Sequence, residues 1–250
     1  MQKSQESIPD EFKRKIGRFT KSEAYLNYCE EVYGYREYLF NMMDREQIDF
    51  LLQNIPVSPD DVLLDLGCGS GSILNLLCKK YGCRGVGIDT LDPEMFRGNP
   101  NLVNYLCGDI DRLQEYGLEQ TITLSVDSLY FSGDLEKLLL SFVTKRNSRL
   151  YFFYSQYLLG EGTVSRDSLK EDRTKVGEIL KRYATSYRTI DFSMNEKCLY
   201  ERSLRILKRL ESDFEREGNR DLLEEKRKED LFGRMLYEKG LAARYLYRIE

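Results

Sequence analysis

The fold of this 250-residue chain is decided by one stretch, Val62-Leu-Leu-Asp65-Leu-Gly67-Cys-Gly69-Ser-Gly71-Ser-Ile73. Its first half is a short apolar run typical of a buried strand, and a helical pattern begins after the third glycine. Alternate glycines let the backbone turn sharply and come within van der Waals distance of a ligand. The start of the next helix offers unpaired N–H groups. The stretch therefore predicts a ligand site at the carboxyl end of a strand in an open α/β sheet.

Outward from this stretch, short apolar runs alternate with helical patterns along the chain. We predict further strands over residues 85–89, 103–107, 121–126, 149–155, 187–192 and 243–249. Such alternation is typical of a doubly wound, mostly parallel sheet that is buried on both faces. The last of these runs alternates apolar and polar residues, as an edge strand does.

The same pattern divides the chain into four expected segments. They are an N-terminal helical lead-in or cap (1–55), a Rossmann-like core (56–192), an inserted helical pair (193–240) and a final edge strand (241–250). Within the first segment, residues 1–20 are polar and charged, and we expect a mobile lead-in there. The helical pair is either a solvated elaboration that packs one apolar stripe on the core or a cap over an acceptor pocket.

The composition excludes several kinds of site. The chain has no histidine, which rules out Ser-His-Asp and Cys-His nucleophile systems as well as zinc sites that use histidine, and no metal site is predicted. Its net charge of −4 argues against broad nucleic-acid binding. Six cysteines without a Cys-x-x-Cys pair indicate free thiols. Because no signal-peptide core and no long apolar run occurs, we expect a cytoplasmic protein without a membrane partner.

The glycine spacing and the acid before it point to a particular family. Gly67-x-Gly69-x-Gly71 differs from the Gly-x-Gly-x-x-Gly fingerprint of dinucleotide-binding folds, and Asp65 precedes it by two residues. This arrangement suits a cationic ligand better than a pyrophosphate. It resembles the first motif of the class I S-adenosylmethionine-dependent methyltransferases, Asp/Glu-x-Gly-x-Gly-x-Gly, at every fixed position. The resemblance implies a seven-stranded sheet with an antiparallel last strand, S-adenosyl-L-methionine as cofactor and methyl transfer as the reaction.

The resemblance also assigns cofactor-binding residues. It places Asp89, at the end of the second strand, on the ribose hydroxyls, and Asp109, after the third strand, near the adenine amine with Ile110 as an apolar wall. The set that it implies is Asp65, Gly67, Cys68, Gly69, Gly71, Asp89, Thr90, Asp109 and Ile110. Alternatives stay open, since Asp65 could only fix the loop, and Asp89 and Asp109 could only cap helices.

Two residues after the fourth strand are candidates for catalysis. Without histidine, a general base must come from Asp, Glu, Tyr, Lys or Cys, and Asp127 follows that strand directly. Tyr130 could line the donor methyl or the acceptor. The alternatives are that Asp127 holds a loop and that Tyr130 packs in the core. An acceptor amine that is already neutral needs no base, because alignment then suffices.

A tyrosine-rich segment between Tyr25 and Tyr38 is the last suggestive feature. Tyr33 could hydrogen-bond to the donor, and Arg36 could pair with a carboxylate of the donor or the substrate, with Gly34 as a break between two helices. Core packing is the alternative for the tyrosines. We expect a methyltransferase that acts on a small-molecule acceptor, as a monomer or homodimer. The alternatives are an RNA or protein methyltransferase and a non-catalytic S-adenosylmethionine-binding protein.

Overall fold

One seven-stranded sheet organises the part of the chain that the structure, a computed structural model, describes: residues 8–144, 149–159, 165–184 and 186–249. The strand order is β3-β2-β1-β4-β5-β7-β6. The strands are β1 (Val62–Leu66), β2 (Arg84–Asp89), β3 (Val103–Cys107), β4 (Ile122–Val126), β5 (Arg149–Tyr157), β6 (Arg188–Asp191) and β7 (Ala242–Ile249). Strands β1 to β5 pair in parallel, and β7 runs antiparallel to both neighbours. The predicted fold class is confirmed.

The last strand lies inside the sheet, so its prediction as an edge strand is wrong. Strand β7 pairs with β5 on one side and β6 on the other, which leaves β3 and β6 as the edges. Its alternation of apolar and polar residues suggested a solvated face. However, Arg244 is fully buried, because its charge is met by Asp127 in the interior.

Helices cover both faces of the sheet. They are α1 (Ile8–Phe19), α2 (Glu23–Tyr33), α3 (Arg45–Asn54), α4 (Ser72–Tyr81), α5 (Leu135–Val143), α6 (Lys175–Tyr183), α7 (Ser193–Arg209), α8 (Glu211–Arg216) and α9 (Arg220–Glu238). Because side chains alternate along a strand, Phe152 and Phe153 of β5 enter opposite cores. The core around Phe152 includes α5 and α6, and the other includes α2, α3, α4 and the α7–α8 region.

Residues 8–19 form a helix, which corrects the expectation of a mobile lead-in over 1–20; residues 1–7 lie outside the described residues. Ile16 and Phe19 of α1 are buried. On its charged side, Lys15 pairs with Glu229 and Arg18 with Asp221, both on α9. The partners of α1 are about 200 positions away in sequence, so no local pattern could reveal them.

A non-helical segment separates α2 from α3 at the carboxyl edge of the sheet. Helix α2 ends at Gly34, whose left-handed backbone (φ 77°) confirms the predicted break, and Asp44 caps the start of α3. Residues 38–42, called the crossing segment below, pass over the ends of the parallel strands. Their backbone is held by side chains from several elements, as described with the site.

The inserted helices α7 to α9 leave the sheet after β6 and return to β7. Strand β6 runs in the same direction as β1 to β5, so the insertion starts at the edge where those strands end. Among the helices of the described ranges, none is both long and apolar enough to cross a membrane. The described side chains also contain no cluster of three or more potential metal ligands.

Candidate cofactor and acceptor site

Two adjoining cavities lie where β1, β2 and β4 end. The larger has a volume of about 280 Å³, and its lining includes Lys13, Phe40, Gly67, Gly69, Asp89, Thr90, Asp109, Ile110, Asp127, Ser128 and Phe131. The smaller, of about 40 Å³, is lined by residues that include Tyr38, Asn41, Asp65, Cys68, Ser70 and Ser72. Both share Phe40, Gly67, Gly69 and Val126. The sequence-predicted loop therefore forms the common floor of one elongated site.

The glycines of the loop serve different purposes. All three have a left-handed backbone, with φ between 57° and 78°. A Cβ on Gly71 would lie 2.1 Å from the Phe96 ring, and Gly71 itself does not belong to the described lining of either cavity. A Cβ on Gly69 would meet nothing within 4 Å. Gly71 is thus required by packing, whereas Gly69 leaves space open at the cavities.

Asp65 is a buried acid without a partner. Its side chain lies at the end of β1 on the smaller cavity, the residue is 3% exposed, and Oδ1 accepts no hydrogen bond. Burial, followed by the nearby Asp89 charge, raises the pKa of Asp65 well above its ordinary value. A buried carboxylate in this state favours a cationic or hydrogen-bond-donating ligand group beside it.

Cys68 lies in the same loop and stays a thiol. Burial, followed by the charges of Asp65 and Asp89, raises the pKa of Cys68 well above its ordinary value. A thiolate nucleophile is therefore disfavoured at this position. Its side chain packs against Gly87 of the neighbouring strand β2. The contact needs a glycine there, because a Cβ on Gly87 would lie 2.6 Å from the Cys68 sulfur.

Asp89 both fixes the loop and faces the larger cavity. Its Oδ2 accepts the Gly69 N–H at 2.8 Å, and its Oδ1 accepts the Leu91 N–H at 3.0 Å. Burial raises the pKa of Asp89. Each carboxylate oxygen has a second lone pair, so these bonds leave capacity for ligand hydroxyls. Asp89 thus fixes the glycine loop, in place of the helix cap that was its alternative role, and it keeps capacity for a ligand.

Asp109 and Ile110 form the far wall of the larger cavity. Asp109 caps a short 3-10 turn over Ile110–Tyr116, since its Oδ1 accepts the Asp111 N–H at 2.9 Å. The capping alternative is therefore realised for Asp109, while the residue remains exposed. Ile110 is buried and supplies an apolar surface.

Comparison with known proteins identifies the fold. No family model matches this chain, and no curated protein sequence matches it. Several solved structures do match it in fold. A phosphoethanolamine N-methyltransferase 2 of Haemonchus contortus superposes with a TM-score of 0.69 at 14% identity, over 97% of this chain and 60% of that chain. The fold is that of the class I S-adenosylmethionine-dependent methyltransferases.

Two further structures match over most of their length. The cyclopropane synthase MmaA2 of Mycobacterium tuberculosis gives a TM-score of 0.66 at 13% identity, over 94% of this chain and 97% of that one. A putative sarcosine dimethylglycine methyltransferase of Galdieria sulphuraria gives 0.62 at 16% identity, over 81% and 83%. The present chain spans about 60% of the H. contortus protein. These matches confirm the fold that was expected from the glycine-loop motif.

Within this methyltransferase fold, Asp127 is held by an ion pair. It has a left-handed backbone (φ 55°), which is uncommon for a residue other than glycine. Arg244 donates to its carboxylate from Nη1 at 2.6 Å and from Nη2 at 3.0 Å, and the Met42 N–H donates at 2.7 Å. The side chain borders the larger cavity. Asp127 is therefore positioned at the site, with both carboxylate oxygens already accepting hydrogen bonds.

Tyr130 packs beside Asp127, outside the described lining of the two cavities. Its ring is partly exposed, but its hydroxyl points inward, accepts the Ser155 N–H at 2.7 Å and lies 3.4 Å from Asp127 Oδ1. Burial, followed by the Asp127 charge, raises the pKa of Tyr130 well above its ordinary value. It stays a phenol at neutral pH, and the adjacent Phe131 lines the larger cavity instead.

Tyr33 and Arg36 do not belong to the described lining of either cavity. The buried Tyr33 donates its hydroxyl hydrogen bond to the Asn41 carbonyl at 3.0 Å. Tyr25 does the same to the Leu39 carbonyl at 2.7 Å. These tyrosines hold the crossing segment and so support the cavity wall indirectly. Arg36 lies at the surface, where it pairs with Glu23 and Glu30.

Several residues of the site were not predicted. Ser70 Oγ donates to the Tyr38 carbonyl at 2.6 Å, which ties the glycine loop to the crossing segment. Serines on both sides of Gly71 were the available signal for this contact. Lys13 and Phe40 reach the larger cavity from the N-terminal region through tertiary packing alone.

A buried polar network behind Asp127 was also missed. Besides Asp127, Arg244 contacts Gln47 Oε1 at 2.7 Å, Ser155 Oγ at 2.9 Å and Glu196 at 3.7 Å. The Glu196 carboxylate is fully buried and accepts hydroxyl hydrogen bonds from Ser155, Tyr157, Tyr200 and Tyr237. Only the fold brings these side chains together, so the sequence carried no signal for them.

Proposed function

We propose that this chain transfers a methyl group from S-adenosyl-L-methionine to a small-molecule acceptor. The main observation behind the proposal is that acidic side chains line the two adjoining cavities at the carboxyl edge of this fold. Asp65, with its unpartnered buried oxygen, lies at one end, and Asp89 and Asp109 line the larger cavity, where they outnumber the cation Lys13. These groups suit a cationic ligand with hydroxyl and amine donors, and they would repel a pyrophosphate.

The residues present fit the cofactor. Asp65 would accept from its ammonium group in the smaller cavity, beneath the crossing segment. Asp89 would accept from the ribose hydroxyls, and Ile110 with Asp109 would receive the adenine. Gly69 leaves the space that a side chain would fill. Thr90, Gly67 and Cys68 complete the wall.

When bound, the cofactor supplies a methyl group activated by a sulfonium. The acceptor atom would take the methyl group in line, so that the C–S bond breaks as the new bond forms, and the acceptor proton would pass to solvent. Alignment of this kind can supply about 7–11 kcal/mol of the barrier. We assign Asp127 a positioning role at the cavity wall. It is not assigned as the general base, because both of its carboxylate oxygens accept hydrogen bonds from Arg244. The chain would then contribute alignment and exclusion of water.

A small acceptor is favoured over a nucleic acid. The net charge of −4 would repel a polyanion. Two structural neighbours are named for small nitrogen-containing acceptors, phosphoethanolamine and sarcosine or dimethylglycine. These names support an amine as the acceptor of this chain.

The direct test is formation of S-adenosylhomocysteine from S-adenosyl-L-methionine with the full chain and a panel of amines, phenols, RNA and unrelated proteins. We expect turnover with an amine or phenol. In parallel, S-adenosylhomocysteine should raise the melting temperature in proportion to its occupancy. An unchanged melting temperature at millimolar ligand would overturn the cofactor assignment, and turnover with RNA alone would overturn the acceptor class.

A further inference from the structure

A third cavity, of about 270 Å³, lies beside the proposed donor site. Its lining is Met42, Tyr157, Leu159, Tyr200, Lys226, Glu229, Asp230, Phe232, Gly233 and Leu236. Met42 separates it from the donor site, because the Met42 N–H donates to Asp127 while the Met42 side chain lines this cavity. A molecule here would therefore lie one residue away from the donor cavity.

The inner end of this cavity offers hydrogen-bond acceptors. Tyr157 and Tyr200 both direct their hydroxyls at Oε1 of Glu196, at 2.6 Å for Tyr200, and lie 3.0 and 3.3 Å from the Met42 sulfur. A carboxylate is a much stronger acceptor than a thioether or a phenol, so each hydroxyl proton goes to Glu196. The two phenol oxygens lie 3.2 Å apart, and with both protons directed at Glu196 they can only accept from a ligand. A bound molecule must bring the donor.

The charges behind these phenols favour a cation. Arg244 has two acidic neighbours, Asp127 and Glu196, which leaves the buried group with a formal charge of one negative. At the other end of the cavity, Lys226 is engaged with Asp230 at 2.5 Å. Glu229 is engaged with Lys15. Lys15 also lies 3.8 Å from Glu225, so acidic groups are in excess by one formal charge at both ends of the cavity, which favours a cation over an anion.

The rest of the cavity is apolar. Leu159, Phe232 and Leu236 line it, and Phe232 and Leu159 are 50% and 60% exposed. Apolar side chains around a cavity with a few convergent polar groups are typical of a small-molecule site. They would cover the body of a molecule whose donor group reaches Tyr157 and Tyr200.

We propose that this cavity binds the acceptor and that the acceptor is a small amine with an apolar body. The inference rests on the proposed methyl transfer. The amine N–H donates to the Tyr157 or Tyr200 oxygen beside Met42, whose unbranched side chain can change rotamer readily. In the transfer, the bound ammonium would first lose a proton to water, and the freed nitrogen lone pair would take the methyl group as the C–S bond breaks. The methylated amine would leave as an ammonium.

Three probes of similar shape test the chemistry: 2-phenylethylamine, 2-phenylethanol and 3-phenylpropionate. Their dissociation constants are measured by calorimetry on the full chain without donor. We expect the amine to bind about tenfold more tightly than the carboxylate, with the alcohol between them. Equal or tighter binding of 3-phenylpropionate would overturn the proposal.

Two variants test whether the amine binds in this cavity. Phe232→Ala should weaken amine binding about fivefold by removing apolar contact, and Tyr157→Phe should reduce the preference for the amine. The matched control is Leu231→Ala, the neighbouring exposed residue of α9 outside the cavity lining, which should leave binding unchanged. Unchanged amine binding in Phe232→Ala would show that the amine lies elsewhere.

Binding of S-adenosylhomocysteine is measured on the same samples. If the donor product binds and the three probes do not discriminate, the acceptor proposal fails while the methyltransferase proposal stands. If the amine binds in the cavity and the donor product does not, the methyltransferase proposal fails and the cavity keeps its assignment as an amine site.

Discussion

Asp127 and Arg244 form a two-point ion pair in the interior, with Nη1 2.6 Å from Oδ1 and Nη2 3.0 Å from Oδ2. The side chains are 4% and 0% exposed. The pair joins the end of β4 to β7, across 117 residues of sequence. It holds Asp127 in a left-handed backbone at the cavity wall, and it explains why that carboxylate is suited to positioning.

Removal of Arg244 should destabilise the fold strongly. Arg244→Met leaves Asp127 and Glu196 buried without their cation, so we expect the free energy of unfolding to fall by about 3–5 kcal/mol. Urea denaturation followed by circular dichroism measures it. Arg84→Met, at an exposed position of β2, is the control and should change stability by less than about 0.5 kcal/mol. A loss below about 1 kcal/mol in Arg244→Met would contradict the assigned role.

Gly69→Ala should weaken donor binding while costing little more stability than a matched glycine. Gly69 and Gly82 both have a left-handed backbone, and a Cβ at either would meet nothing within 4 Å. Each substitution should therefore cost about 1–2 kcal/mol of stability.

Only Gly69 borders the cavities, because Gly82 caps α4 at its far end. We expect Gly69→Ala to reduce affinity for S-adenosylhomocysteine at least tenfold and Gly82→Ala to leave it unchanged. Calorimetry measures both. Equal affinities would mean that the donor does not approach the loop.

The parts of the fold that could be predicted depend on contiguous residues. Strand β3 matches its predicted bounds, and β1 covers the apolar run before the glycines, since an apolar run between turn signals is a local pattern. The glycine loop and Asp89 follow from a motif whose members lie within one βαβ unit. The break at Gly34 is equally local.

The parts that could not be predicted depend on distant partners. Helix α1 is anchored by contacts such as Arg18–Asp221, which are separated by 203 residues. The polar residues of β7 looked solvated because the acids that neutralise Arg244 lie elsewhere in the chain. A single sequence shows charges but not their pairing, and so the interior position of β7 escaped prediction.

Asp89→Ala should weaken donor binding by about 1–3 kcal/mol through loss of charge-assisted hydrogen bonds. The variant also frees the Gly69 N–H, so stability must be measured separately. Asp92→Ala is the control, since Asp92 is exposed in the same loop outside both cavity linings. Wild-type affinity for S-adenosylhomocysteine in Asp89→Ala, by titration calorimetry, would show that the ribose role is wrong.

Asp65 should make stability depend on pH in a defined direction. Burial raises the folded-state pKa of Asp65 well above its ordinary value of 3.8. The folded chain therefore binds more protons than the unfolded chain at pH values between the unfolded and folded pKa. Stability from this group is greatest below about pH 4 and falls as the pH rises through that interval.

Asp65→Asn removes this titration, so the variant without ligand should be more stable than the wild type at pH 7, on the order of 1 kcal/mol, because it lacks the buried charge. The difference should shrink as the pH falls toward 4. Asp60→Asn, at an exposed position before β1, should follow the wild type at every pH. Denaturation at pH 4, 5.5 and 7 measures the three curves. The same Asp65→Asn variant should lose affinity for S-adenosylhomocysteine, since the ligand ammonium would lose its carboxylate. A variant that is less stable than the wild type at pH 7 would show that the charge of Asp65 is already met within the protein.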